Sequence, residues 1–347
     1  MTEIRPDPSF WVGKRVLVTG HTGFKGAWLC LLLDHLGAHV SGLALPAEPD
    51  GAFEAMRPPV ESQIADIRDA AAVIDVVRQV RPQIVLHLAA QALVGEGHAN
   101  PLATFATNVM GTANVLEALH AVPAEVALMV TTDKVYRPDP GAGPFHEDSP
   151  LGGTDPYSAS KAAAEHVVAS WRERLRENGC VAAAARAGNV LGGGDWAAGR
   201  LAPDVIRAHR ADVPLTLRRP EAVRPWQYVL DVLAGYLLYA QVLSRDIAPP
   251  AMNFGPEAGD DLTALELTRR LQRALGSTRG WRQTEAPFAE TTTLRLDPTR
   301  AWRTLGWRTT TGIDEALACT AAWHQAAWAN QDMNRVGRAQ IEAWLAS

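Results

Sequence analysis

A tyrosine and a lysine lie four residues apart in Tyr157-Ser158-Ala159-Ser160-Lys161. If the segment is helical they share one face, because positions i and i+4 stack on a helix. A phenol has an ordinary pKa near ~10, and an ammonium beside it favours the phenolate. Such a pair can take a proton from an alcohol while a hydride leaves the same carbon. The ammonium of Lys161 would also hold a nicotinamide ribose. Upstream, Thr131-Thr132-Asp133-Lys134 closes an apolar run. Thr132 offers a hydroxyl to the reacting oxygen. Asp133 suits an acid if burial raises its pKa, and Lys134 a base or orienting group if burial lowers its own. Taken alone, each motif has a plainer alternative: an i,i+4 polar pair on an amphipathic helix, and a solvated Asp-Lys loop.

These groups need a partner that accepts hydride, and the N-terminus supplies a place for one. Arg15-Val16-Leu17-Val18-Thr19 reads as a buried strand and runs into Gly20-His21-Thr22-Gly23-Phe24-Lys25-Gly26. In such a strand–turn–helix joint one glycine makes the tight turn, one lets a pyrophosphate approach the backbone and one lets the helix pack on the sheet. The helix start then offers free amides and a positive dipole end to the phosphates. About 20 residues on, a carboxylate usually holds the ribose of NAD. Here the second strand ends Gly42-Leu43-Ala44-Leu45, with neither a carboxylate nor an arginine. NAD is the expected cofactor and NADP stays open, with Lys25 as the candidate for a 2′-phosphate.

The elements that must position these residues alternate. Strand-like runs at 15–19, 40–44, 63–66, 84–88, 126–131 and 181–186 are separated by helical patterns at 25–36, 71–80, 102–119 and 157–175. Near-continuous apolar strands alternating with helices predict an α/β fold with a doubly wound parallel sheet, of the Rossmann type. After Asn189 the pattern breaks at Gly192-Gly193-Gly194 and several prolines. We expect residues 1–188, with 225–255 returning to them, to bind the cofactor. Residues 189–224 and 256–347 would form a smaller mixed substrate domain. A helix is expected at 230–243 and a strand at 252–254. Trp302, Trp307, Trp323, Trp328 and Trp344 read as packing residues.

Bulk properties narrow the rest. The 347 residues are 47% hydrophobic and 20% charged, with a net charge of −5, which excludes a disordered chain and argues against nucleic acid as a partner. Cys30, Cys180 and Cys319 lack metal-ligand spacing, so neither a zinc site nor a disulfide framework is expected. No secretory signal or membrane span is recognisable, and a cytoplasmic protein is expected.

The GxxGxxG spacing resembles the extended short-chain dehydrogenases/reductases, and the resemblance continues in order. Asp66-Ile67 matches the position at the adenine amino group, Leu88-Ala89-Ala90 the loop over the cofactor, and Asn108 a structural helix residue. With Asp133-Lys134, Gly152-Gly153-Thr154-Asp155-Pro156-Tyr157, Arg186 through Trp196 and Arg224-Pro225-Trp226-Gln227, the chain is similar over nearly its whole length to the CDP-glucose 4,6-dehydratase family. That resemblance implies C4 oxidation of a nucleotide sugar, loss of water across C5–C6 and return of hydride to C6. It also implies substrate contacts from Gln91, Asn189, Arg200 and Arg224, and commonly a homodimer or higher homo-oligomer. The chain departs from the family after Gln91. Gly95, Gly97 and His98 stand where an arginine, a serine and an aromatic are usual, and the stretch 137–141 replaces a more aromatic loop. His98 is a donor to a substrate oxygen or a solvated loop residue. The departure leaves an alternative, a net oxidoreductase or epimerase on another nucleotide sugar. A catalytically dead cofactor-binding regulator is a further reading, against which intact Tyr157 and Lys161 argue.

Overall fold

A computed structural model describes residues 5–138, 143–256, 261–277, 279–285 and 294–347. Residues 139–141 of the divergent stretch lie outside them. Twelve strands are present among the described residues: β1 (Arg15–Thr19), β2 (His39–Ala44), β3 (Glu61–Ile64), β4 (Ile84–His87), β5 (Val126–Val130), β6 (Val181–Ala187), β7 (Asn189–Leu191), β8 (Leu215–Leu217), β9 (Val223–Tyr228), β10 (Ala251–Phe254), β11 (Asp261–Thr263) and β12 (Trp281–Gln283). Seven form one parallel sheet in the order β10-β6-β5-β4-β1-β2-β3. The doubly wound expectation is met, with the order reversing between β1 and β4.

The strands are apolar on both sides because both faces are covered. Val16, Val18, Ile84, Leu86, Leu128 and Val130 point to one face, into a core shared with the helices Phe24–His35 and Val229–Leu243. Leu17, Val85, Ala127 and Met129 alternate to the other, against Ala70–Val80, Thr112–Ala121 and Pro156–Glu177. Each fully buried Leu or Val contributes roughly 1.5–3 kcal/mol. Within Phe24–His35, Gly26 to Leu33 are all buried. A helix apolar all round needs cover on the side away from the sheet. The C-terminal helix Met333–Ala346 provides part of it, with Gly337 against Leu31 and Arg338 paired with Asp34 at 2.5 Å.

The pattern read as one helix over 102–119 is interrupted. It becomes Pro101–Phe105, a π-helical stretch Ala106–Gly111 and Thr112–Ala121, preceded by a separate short helix Val94–Ala99. Extra residues in π turns are frequent at functional sites. The third strand falls at Glu61–Ile64, two residues before the expected 63–66. Beyond β6 the small elements form a three-stranded sheet β11-β9-β7 and a pair β12-β8. Of the tail tryptophans, Trp307, Trp323 and Trp344 are buried as expected, whereas Trp302 is 39% exposed. Cys30 and Cys180 are buried, Cys319 half-buried, and all three are free thiols. Among the described residues no helix is long and apolar enough to cross a membrane.

Candidate active site

The glycine turn sits at the C-terminal end of β1, at the reversal of strand order, where open parallel sheets place their ligands. Gly20 has φ +75°, and a Cβ there would lie 2.7 Å from the amide nitrogen of Ala89. A Cβ on Gly26 would lie 2.1 Å from the Gly20 carbonyl oxygen. Gly23 is different: its Cβ would meet nothing nearer than 3.4 Å. Two glycines therefore close the turn and the third leaves backbone open to a ligand. The first-turn amides Phe24 to Gly26 lack intrahelical partners. This is a cradle that fits a dinucleotide pyrophosphate. Thr22 braces it by donating from Oγ1 to the Leu45 carbonyl at 2.9 Å. At the far end of the cleft Ile67 is buried, and Asp66 is held by Arg68 at 2.6 Å, which with its hydrogen bonds keeps the Asp66 carboxylate below its usual range.

The loop after β4 is fixed from below by a relay that sequence patterns do not reveal. The Ala89 amide donates to Thr19 Oγ1 at 3.2 Å, and Thr19 Oγ1 lies 2.7 Å from His87 Nδ1. His87 Nε2 is 3.2 Å from Thr112 Oγ1, which donates to the Asn108 carbonyl at 2.7 Å. Burial, reinforced by the Lys161 charge, pushes His87 down to about 3. A neutral ring can serve one hydroxyl as acceptor and the other as donor. Asn108, in the π-helical stretch, donates to the Gln91 carbonyl at 3.0 Å and to Ser160 Oγ at 2.9 Å, and accepts from the Gln91 amide at 2.8 Å. Ser160 Oγ in turn donates to the Tyr157 carbonyl at 2.7 Å. The cofactor-side loop Leu88-Ala89-Ala90-Gln91 and the helix carrying Tyr157 are thereby tied together.

Tyr157 opens the helix Pro156–Glu177, capped by Asp155, whose carboxylate accepts from the Ser158 amide at 3.0 Å. Tyr157 and Lys161 are both buried. Lys161 Nζ donates to the Val130 carbonyl at 3.0 Å, at the end of β5. Thr132 Oγ1 lies 2.9 Å from Asp133 Oδ1 and is hydrogen-bonded to the Tyr157 phenol. The expectation that Lys161 pulls the phenol down is not met. Burial pushes Tyr157 up to about 12, partly offset by the Thr132 bond and the Arg200 charge and reinforced by Asp133. Burial also lowers Lys161 to about 8 against the upward pull of Glu165. Desolvation is the largest influence at both groups. Asp133 is buried and its carboxyl is raised by that burial, against the opposing pull of Lys134, Thr132 and Arg224. The solvated-loop alternative fails for Asp133, while Lys134 is half-buried.

Lys25 feels the charges of Arg200, Lys161, Asp133 and Asp195, and burial with the two cations brings it down to about 7. Arg200 is paired with Asp195 at 3.2 Å. Arg224, on β9, donates to the Val223 carbonyl at 2.8 Å and its charge reaches Asp133. Asn189 begins β7, opposite Trp226 of β9. The residues 94–99, expected as a loop, form a short helix, and His98 is exposed. A Cβ on Gly97 would stand 3.0 Å from Tyr157 Cβ, so the substituted glycine lets this helix lie against the tyrosine. Among the described residues no cluster of His, Cys, Asp or Glu could hold a metal.

The arrangement offers a buried carboxyl raised by its burial, a buried phenol and a buried lysine, with the charges of Arg200 and Arg224 acting on the phenol and the carboxyl. Comparison with known proteins agrees with this chemistry. The NAD dependent epimerase/dehydratase family matches residues 16–255. A CDP-glucose 4,6-dehydratase of Salmonella typhimurium is 38% identical over 98% of this chain and 99% of its own. Among solved structures, the dTDP-glucose 4,6-dehydratase from Streptomyces venezuelae with NAD bound superposes with a TM-score of 0.78 at 27% identity, covering 90% of this chain and 98% of that one. The Thermus thermophilus UDP-glucose 4-epimerase in complex with NAD gives 0.80 at 26% identity, covering 90% and 99%.

Proposed function

The chain belongs to the NAD dependent epimerase/dehydratase family, and from that premise we propose that it converts CDP-glucose to CDP-4-keto-6-deoxyglucose by NAD-dependent 4,6-dehydration. The observation that carries the reading is the buried Asp133 carboxyl, raised by burial and 2.9 Å from Thr132 beside Tyr157. An epimerase needs no such acid at this point, whereas loss of a C6 hydroxyl does.

The glycine cradle, Leu88-Ala89-Ala90 and Lys161 would hold the dinucleotide. A dinucleotide held there would supply the acceptance of hydride from the sugar's C4 and its return at C6. Tyr157, beside Thr132, would take the proton of the C4 hydroxyl as its phenolate, a form that nearby positive charge, from Lys161 and from an oxidised nicotinamide once bound, would favour against the burial that otherwise holds the phenol protonated. The resulting C4 ketone acidifies the C5 hydrogen, which Lys134 would accept or steer. Asp133 protonates the C6 oxygen as water departs. Arg200 and Arg224 would meet the nucleotide pyrophosphate, for which a guanidinium offers paired donors. Gln91 and Asn189 would contact the sugar. In this division, residues 1–188 with 225–255 serve the cofactor, and 189–224 with 256–347 the sugar nucleotide.

NAD is favoured over NADP, since β2 ends without a cation and Lys25 has its charged neighbours around Tyr157. Leu102 and Met110, 85% and 57% exposed, support pairing with a second copy along Pro101–Phe105 and the π-helical stretch Ala106–Gly111. Incubation with CDP-glucose and NAD tests the reading. The expected product has lost one water with no build-up of reduced cofactor. A product of unchanged mass would make the chain an epimerase.

A further inference from the structure

The run Gly192-Gly193-Gly194 is buried throughout, along with Leu191 and Asp195 on either side. Each glycine is pressed by a different part of the molecule. A Cβ on Gly192 would stand 2.7 Å from Val229 and 2.9 Å from Phe24. On Gly193 it would stand 2.0 Å from the Trp323 ring, and on Gly194, at φ +79°, 2.6 Å from Ala52. The backbone is bonded on the same sides. Trp28 Nε1 donates to the Gly193 carbonyl at 2.8 Å, and the Ala52 amide to the Gly194 carbonyl at 3.0 Å. The Gly194 amide donates to His324 Nε2 at 3.3 Å. His324 is 2% exposed and its ring packs on Trp196, Trp323 and Trp328 at 5.0–6.0 Å between centroids. The next residue after the run is Asp195, which pairs with Arg200. An accepting Nε2 must be unprotonated, and removing it would leave a buried amide without a partner.

We propose that His324, on the helix Ile313–Trp328, is a positioning residue for the sugar nucleotide, acting through Gly194 and Asp195 on Arg200. The glycine run is a clamp between the cofactor-binding helix, the Ala52 turn and the C-terminal region, and His324 is its one polar fastening on the C-terminal side among the described residues. The proposal deepens the dehydratase reading and its consequence for substrate rests on it.

His324→Phe keeps the ring packing and deletes the acceptor, whereas His324→Gln keeps an acceptor near the Nε2 position. Amide hydrogen exchange of the 192–204 segment should speed up in the Phe variant and stay parental in the Gln variant. The KM for CDP-glucose should rise about tenfold in the Phe variant, the effect of one lost buried hydrogen bond, with kcat and NAD affinity unchanged. In an Arg200→Ala background the Phe substitution should add nothing further to KM. Parental exchange in His324→Phe, equal effects of Phe and Gln, or full additivity with Arg200→Ala would each overturn the proposal. If the parent enzyme does not turn over CDP-glucose, the dehydratase reading has failed, and the exchange result still decides the clamp.

Discussion

A carboxyl that hands a proton to a departing hydroxyl must hold that proton more tightly than an ordinary aspartic acid, and burial shifts Asp133 in that direction. Its replacement by Asn keeps the shape and removes the acid. Asp133→Asn should lower dehydration by about 10²–10⁴-fold while NAD binding persists. Stopped-flow absorbance should then show reduced cofactor accumulating on the enzyme, because C4 oxidation is left without its sequel. Tyr157→Phe should lose turnover by a similar ~10²–10⁴-fold and show no reduced cofactor at all. Lys161 allows a test that does not depend on activity. Its folded pKa of about 8 lies below the ordinary 10.5, so the unfolded chain binds more protons between those values. The burden on the fold is full below pH 8 and fades as pH rises towards 10.5. Lys161→Met should therefore raise the melting temperature more at pH 6 than at pH 10. An equal shift at both would mean that the buried ammonium is not strained by desolvation.

Sequence patterns disclosed the strands and the glycine turn because those depend on local period and spacing. They did not disclose the break at Ala106–Gly111, where Asn108 bonds both Gln91 and Ser160 across the fold and Gly111 makes room for Ile67. Nor could they show His87 as a relay, or Gly192 to Gly194 as pressed on three sides, since the neighbours come from distant parts of the chain. The upward shift of Tyr157 is hidden for a related reason: residue spacing points to a neighbouring lysine, but does not report the burial that dominates the phenol. The short helix Val94–Ala99 gives a paired prediction. Gly95 faces open space and Gly97 abuts Tyr157. Gly95→Ala should be neutral, while Gly97→Val should reduce kcat by about ten- to a hundredfold through displacement of the tyrosine, with NAD affinity retained. Calorimetric NAD titration beside steady-state kinetics separates the two.

The molecule brings its far ends to one place. Asp231, 1% exposed on the helix Val229–Leu243, accepts from Trp344 Nε1 at 2.8 Å, from Thr310 Oγ1 at 2.8 Å and from the Thr311 amide at 3.1 Å. The last helix is thus fastened to the one that lies beside Phe24–His35 under the cofactor turn. Trp344→Phe should lower unfolding free energy by about 1–3 kcal/mol in denaturant titration and leave kcat unchanged. The same architecture serves dehydratases and epimerases, so fold alone does not choose the reaction. The choice rests on hydrogen leaving one carbon and arriving at another within a single turnover. CDP-glucose carrying deuterium at C4 follows that transfer directly. The label should appear at C6 of the product, with the cofactor unlabelled and oxidised at the end. Label returned to C4, or lost to the cofactor pool, would contradict the account.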